Sequence, residues 1–275
     1  MAPRSILITG CSSGIGRDAA LRLRDRGWQV FASVRNPDHV AALEAEGLTA
    51  PILDHADPDT IRTALAQVLD ATGGRLDALF NNGAYAIPAP LEDVPRDAMR
   101  AIFEANLIGW HDLTREVIPV MRTQGRGRIV MNSSVLGFVG MRWRGAYVAT
   151  KFALEGLADV LRMEMSDAGI RVSIIEPGPI DTAFRRNATR EFERWIDWEA
   201  SARADEYRES LLSQLYEGSA GGPQWPASAV TAKLIHALES PRPRARYRVT
   251  TPTHAMAVAR RLLPGRALDG LLRRL

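Results

Sequence analysis

The chain has 275 residues and is 46% hydrophobic, enough for one large domain with a full core or at most two small ones. The single cysteine, Cys11, excludes an intramolecular disulfide and suits a reducing cytosol. No run of about 18 uncharged apolar residues offers a membrane span, so a cytoplasmic protein is expected. The formal net charge of +3 is too small to imply a nucleic-acid partner, and only Lys151 and Lys233 among the basic residues are lysines. A lysine in this arginine-dominated chain therefore marks a position that requires lysine chemistry.

The N-terminal apolar run, Ile6-Leu7-Ile8, is too short for a signal-peptide core and leads directly into a glycine motif. In chain order, strands are predicted at Ser5–Thr9, Gln29–Val34, Thr49–Leu53, Ala78–Asn81, Arg128–Asn132 and Val172–Glu176, with a last one around Arg246–Thr250. Helix-length segments separate them. Gly27 and Gly47 close the first two, Pro37 opens the second, Pro58 stands in the first turn of the third, and Gly73-Gly74 ends it. This alternation predicts an α/β fold: a doubly wound parallel sheet of about seven strands, helices on both faces, and ligands at the C-terminal strand ends. The whole of 1–275 reads as one domain. Within it, 183–226 is a helical insertion carrying Phe184, Phe192, Trp195, Trp198, Tyr207, Tyr216 and Trp225, and 255–275 is an apolar, basic helical tail.

The first strand ends in Thr9-Gly10-Cys11-Ser12-Ser13-Gly14-Ile15-Gly16. Glycine at G-x3-G-x-G spacing between a strand and a helix lets the backbone turn tightly and approach a pyrophosphate. The helix N-terminus then offers free N–H groups, and Gly10, Ser12, Ser13, Gly14 and Ile15 are the candidate phosphate contacts. The second strand ends Ser33-Val34-Arg35-Asn36, with no carboxylate at its tip; Asp38 comes later. An acid there would bond a ribose 2′-hydroxyl and select NAD, whereas Arg35, with Ser13, suits a 2′-phosphate. NADP(H) is the expected cofactor.

From Ser5 to about Thr182 the order of motifs resembles the short-chain dehydrogenase/reductase superfamily. The residues that carry the resemblance are the glycine loop, Asp54, Asn81-Asn82-Gly83-Ala84, Asn106, Ser134, Tyr147, Lys151, Pro177-Gly178 and Thr182. It implies an adenine contact for Asp54, ribose contacts for Asn82 and Gly83, and a nicotinamide cradle from Pro177, Gly178, Ile180 and Thr182. Gly83-Ala84 reverses the family's usual Ala-Gly; both residues are small, so little change is expected. The Cys-Ser-Ser of the loop, Val34-Arg35-Asn36 and Lys151–Leu157 resemble the 17β-hydroxysteroid dehydrogenase-like branch, which also holds broad aldehyde and ketone reductases.

Tyr147 and Lys151 stand four apart at the start of a helix, on one face. A phenol's pKa of about 10 is too high for proton exchange near neutrality. A unit charge about 4 Å away, at an effective dielectric of 20, is worth roughly 4 kcal/mol, or about three pKa units. Lys151 is therefore expected to bring the phenol toward neutral pKa, and the resemblance adds that it holds the nicotinamide ribose. Ser134, at a strand end thirteen residues earlier, is expected to bond the substrate oxygen; its neighbour Ser133 points to the other face. Asn106, by resemblance, binds a water that links Lys151 to solvent. The reaction implied is reversible hydride transfer between NADPH and a hydrophobic aldehyde or ketone. No metal is called for: His39, His55, His111, His236 and His254 lack ligand spacing and read as structural or surface residues. The alternative is a non-catalytic NADP(H)-binding regulator on the same fold.

Between serine and tyrosine, the loop Gly137–Arg144 offers apolar residues to wall a pocket, and Arg142 or Arg144 can instead pair with an acidic group. The aromatic helices after Thr182 correspond by resemblance to a mobile substrate lid, and equally suit ordinary packing. The tail's Arg260, Arg261, Arg266, Arg273 and Arg274 interleave with leucines. Packing on the lid or a neighbouring subunit is favoured over a membrane surface, and no nucleic-acid site is expected. The resemblance implies a homodimer or homotetramer.

Overall fold

The computed structural model describes residues 3–218 and 224–273. Arg274 and a short part of the 183–226 segment lie outside the described residues. The elements run β1 (Ser5–Ile8), α1 (Gly14–Arg24), β2 (Gln29–Ala32), α2 (Val40–Glu44), α3 (Pro58–Thr72), β3 (Ala78–Asn81), α4 (Arg96–Phe103), α5 (Gly109–Gln124), β4 (Gly127–Asn132), α6 (Gly145–Glu164) and β5 (Ile170–Glu176). There follow α7 (Phe184–Trp195), α8 (Ala204–Glu206), α9 (Leu212–Tyr216), α10 (Ala227–Glu239), β6 (Arg246–Arg248), α11 (Thr251–Leu262) and α12 (Gly265–Leu272).

All strand pairs are parallel, in the order β2-β1-β3-β4-β5-β6. The order reverses between β1 and β3, and at such a switch point the connections leave toward opposite faces and open a crevice. Strands buried on both faces need near-continuous apolar sequence, as in Ser5–Ile8 and Ala78–Asn81. One face packs Ile6, Ile8, Val30 and Phe80 against Ala19, Leu23, Val230 and Leu234 of α1 and α10. The other packs Leu7, Leu79, Ile129 and Ile174 against Ile61, Leu65, Leu113, Val117 and Leu154 of α3, α5 and α6. Each such side chain, removed from water, contributes about 1.5–3 kcal/mol.

Six strands form where about seven are expected. The segment 49–53 reaches the outer edge of β2 but makes only two isolated bridges, Phe31 to Thr49 and Val34 to Ile52. Pro51 lies between them and has no N–H to donate, so the ladder breaks there. The segment still accepts from Ala32 and Val34 through Thr49 O and Pro51 O, at 2.7 and 3.1 Å.

The insertion leaves and rejoins the body at one neck: Asp181 N–H donates to Trp225 O and Trp225 N–H to Pro179 O, at 2.9 and 3.0 Å. Beyond it, Phe192 and Tyr207 are buried in a third apolar cluster with Ile87, Ile102 and Ala146. The Tyr207 hydroxyl donates to Asp93, 2.8 Å away. Most of the aromatics thus serve packing, while Phe184 and Tyr216 stay exposed. In the tail, Arg260 donates to Phe138 O and lies over the Phe152 ring, so α11 packs beside the loop after Ser134 rather than on the insertion. Among the described residues no helix is long and apolar enough to cross a membrane.

Candidate active site

A cavity of about 560 Å³ opens along the C-terminal ends of the strands. Its floor begins at the glycine loop. Gly10 adopts φ +72°, and a Cβ there would stand 2.5 Å from the Gly83 Cα; one on Gly16 would stand 2.4 Å from the Gly10 carbonyl oxygen. Only glycine lets the two loops touch this closely. Ser13 is the N-cap of α1, yet its hydroxyl makes no capping bond and remains available to a ligand.

A chain of hydrogen bonds runs from this loop to the far side of the cavity. The Thr9 hydroxyl accepts from the N–H groups of Asn82 and Gly83 at 2.9 and 3.1 Å. The Asn82 amide donates to Thr9 O at 2.9 Å and accepts from the Asn132 amide at 2.9 Å. Asn132 O in turn accepts from Lys151 Nζ at 2.8 Å. Thr9 and Asn132 went unmarked in the sequence, although an asparagine closing a central strand disfavours the strand itself and was a usable signal.

Lys151 is 1% exposed, with Nζ 4.3 Å from the centroid of the buried Trp110 ring. Burial pushes its pKa down to about 7 against the pull of Glu155. Tyr147, 7% exposed, is pushed above the ordinary phenol range by burial, with a hydrogen bond from Ser134 pulling the other way. In the protein by itself burial thus raises the phenol, opposite to the direction expected from Lys151. The phenol keeps its proton and the lysine is the group poised near neutrality. The Ser134 hydroxyl accepts from Leu136 N–H at 3.1 Å, which fixes its oxygen. Ser133 also lines the cavity, with its Oγ beside Gly137 and Glu155.

Asn106 is the one predicted site residue that does not line the cavity. It lies in a π-helical turn, Glu104–Ile108, not in regular helix. Its amide donates to the Tyr85 carbonyl at 2.8 Å and to the Thr150 hydroxyl at 3.5 Å, and accepts from the Tyr85 N–H at 3.1 Å. The side chain thereby positions the Tyr85 segment of the wall.

Ser12, Gly14, Ile15, Arg35, Asp54, Asn82, Gly83, Pro177, Gly178, Ile180 and Thr182 all reach the cavity. Arg35 is exposed there and makes no ion pair among the described residues. Asp38 is held by Asn36, whose amide donates to its carboxylate at 3.2 Å. His55, read as structural or surface, also lines the cavity; burial and Lys151 hold its pKa down to about 3, so it is neutral. At the other end Tyr85, Leu136, Met141, Phe184 and Arg144 enclose the space above Tyr147, whose ring meets Phe184 edge-on at 5.4 Å.

The arrangement brings together a phosphate-type loop, a protonated phenol, a serine hydroxyl and a lysine on one cavity. The comparisons agree with it. The profile of the short chain dehydrogenases matches residues 4–193. The chain is 40% identical over 269 residues to the uncharacterized oxidoreductase YbbO of Escherichia coli, covering 98% of this chain and 94% of that one. It is 31% identical to human 17-beta-hydroxysteroid dehydrogenase type 1, over 91% of this chain and 78% of that one. A short-chain dehydrogenase from Streptomyces avermitilis superposes with a TM-score of 0.79 at 26% identity, covering 100% of this chain and 95% of its own. The chain belongs to the short-chain dehydrogenase/reductase superfamily of oxidoreductases, within reach of its 17β-hydroxysteroid dehydrogenase-like branch.

Proposed function

We propose that this protein is an NADPH-dependent reductase of a hydrophobic aldehyde or ketone, with Tyr147 as proton donor. The observation that carries the reading is the buried Tyr147 together with Lys151 and a fixed Ser134 hydroxyl, in a cavity floored by a glycine loop. A bound reduced nicotinamide supplies the hydride. Ser134 hydrogen-bonds the carbonyl oxygen as negative charge develops on it, and Tyr147 delivers the proton to that oxygen. Lys151 donates to Asn132 O and keeps positive charge beside the phenol as the phenolate forms. Phe184, Leu136 and Met141 supply apolar wall to the cavity. The 183–226 insertion is assigned as the lid over this space. An NADPH-oxidation screen against aldehydes, ketones, quinones and steroids tests the reading; oxidation of none of them contradicts it.

The preference for NADPH rests on Arg35, exposed at the cavity edge, and on the Asn36 grip on Asp38. Arg35→Asp is expected to lower kcat/KM for NADPH by about 10- to 100-fold, the worth of one charge-assisted contact, and to raise that for NADH. An unchanged ratio of the two cofactors refutes the assignment.

Lys151 is charged below about 7 and loses its proton above it, whereas Tyr147 stays protonated throughout. Reductive kcat/KM is therefore expected to fall as pH rises through about 7. A pH–rate profile that is flat from about pH 6 to 9 contradicts this role of the ammonium.

A further inference from the structure

We propose that Arg144 binds an anionic group, a carboxylate in the first instance, on the carbonyl substrate, so that the preferred substrate is an apolar oxo-acid. This rests on the reading of the cavity as a carbonyl-reducing site and names its substrate class. Arg144 lines the cavity three residues before Tyr147, at the N-cap of α6. It is half-buried, and among the described residues the one hydrogen bond of its guanidinium goes to the carbonyl of its own neighbour, Trp143, at 3.3 Å. Among the described residues it has no acidic partner. A guanidinium cannot shed its charge at any ordinary pH, and leaving such a charge desolvated without an anion is costly. Burial indeed weighs against its charged form.

The other charges at this end are accounted for differently. Arg142 pairs with Glu206 at 2.7 Å and stacks on Trp143, away from the site. Glu191 accepts from the Trp195 indole at 3.1 Å and lies 3.8 Å from Arg194. Arg185 reaches Gly218. Arg190 also borders the cavity, but is exposed and retains its hydration.

Trp143 is the one non-glycine residue among those described with positive φ, +58°. An aromatic residue in that region is strained, and the strained residue immediately precedes Arg144. Such strain persists where the surrounding fold has to present a neighbouring group. Leu136, Met141 and Phe184 line the same cavity and supply apolar wall, which suits a ring or chain between the carbonyl and the acid.

The test compares 4-formylbenzoate with its methyl ester as substrates, and benzoate with methyl benzoate as ligands of the NADP⁺-loaded protein by calorimetry. The parent is expected to favour the acid through KM. Arg144→Leu should lower kcat/KM for the acid about 10- to 100-fold, the loss of one charge-assisted contact. The ester should change little, and Arg144→Lys should recover part of the loss. Turnover of the ester also shows that each variant is folded. Equal use of acid and ester by the parent, or an equal loss of both in Arg144→Leu, overturns the anion site and leaves carbonyl reduction standing. Arg144-dependent benzoate binding without turnover of any carbonyl supports the anion site and counts against carbonyl reduction.

Discussion

Tyr147→Phe is expected to lower kcat for carbonyl reduction by about 10²- to 10⁴-fold, the usual contribution of a positioned general acid. Only the hydroxyl is removed. The ring that meets Phe184 edge-on and packs with Ile87 and Ala146 is retained, so the fold and NADPH affinity should be close to those of the parent. NADPH oxidation at saturating substrate, with cofactor binding followed by fluorescence, separates the two effects. Parent-like turnover would remove the tyrosine from the mechanism. Loss of cofactor binding would show that the phenol serves as a wall rather than as an acid.

Gly10→Ala is expected to destabilise the protein and abolish cofactor binding together. The added Cβ would lie 2.5 Å from the Gly83 Cα and 3.0 Å from its nitrogen, backbone atoms that no rotamer change can move aside. The positive φ adds about 1–2 kcal/mol to an overpacking cost of roughly 1–3 kcal/mol. At about 2–4 °C per kcal/mol for a chain near this size, the melting temperature should fall by roughly 4–20 °C. Because the two loops that part are the ones meant to hold the dinucleotide, NADPH should no longer raise the melting temperature. A variant that melts like the parent and is stabilised by NADPH would show that the contact between Gly10 and Gly83 is dispensable. Gly83→Ala is the milder control: its Cβ would meet Gly10 at 3.2 Å, a fit that needs only a small shift.

The sheet was legible because buried parallel strands leave short continuous apolar runs, and five of the predicted strands recur almost residue for residue in β1 to β5. The edge segment 49–53 was not, since its apolar pattern is strand-like while Pro51 withholds the donor that a ladder needs. The glycine loop and the Tyr147–Lys151 pair were legible because both depend on local spacing. What escaped depends on partners distant in the chain. The π turn at Asn106 turns its amide to Tyr85, twenty-one residues back. Lys151 meets Trp110 and Asn132 only once α5, β4 and α6 are assembled. The direction at Tyr147 escaped for the same reason: spacing reports the nearby ammonium, but not the burial that raises the phenol. Arg142 and Arg144 looked alike in sequence, and only the fold gives one of them Glu206 and the other the cavity.

The most direct test of the account is isotope transfer from NADPH. With NADPH deuterated at C4 of the nicotinamide and a carbonyl found in the screen, the account predicts one deuterium on the carbinol carbon of the alcohol, and almost no labelled product from Tyr147→Phe. NADPH that binds but stays unoxidised across the whole panel, or an alcohol formed without the label at that carbon, would contradict it.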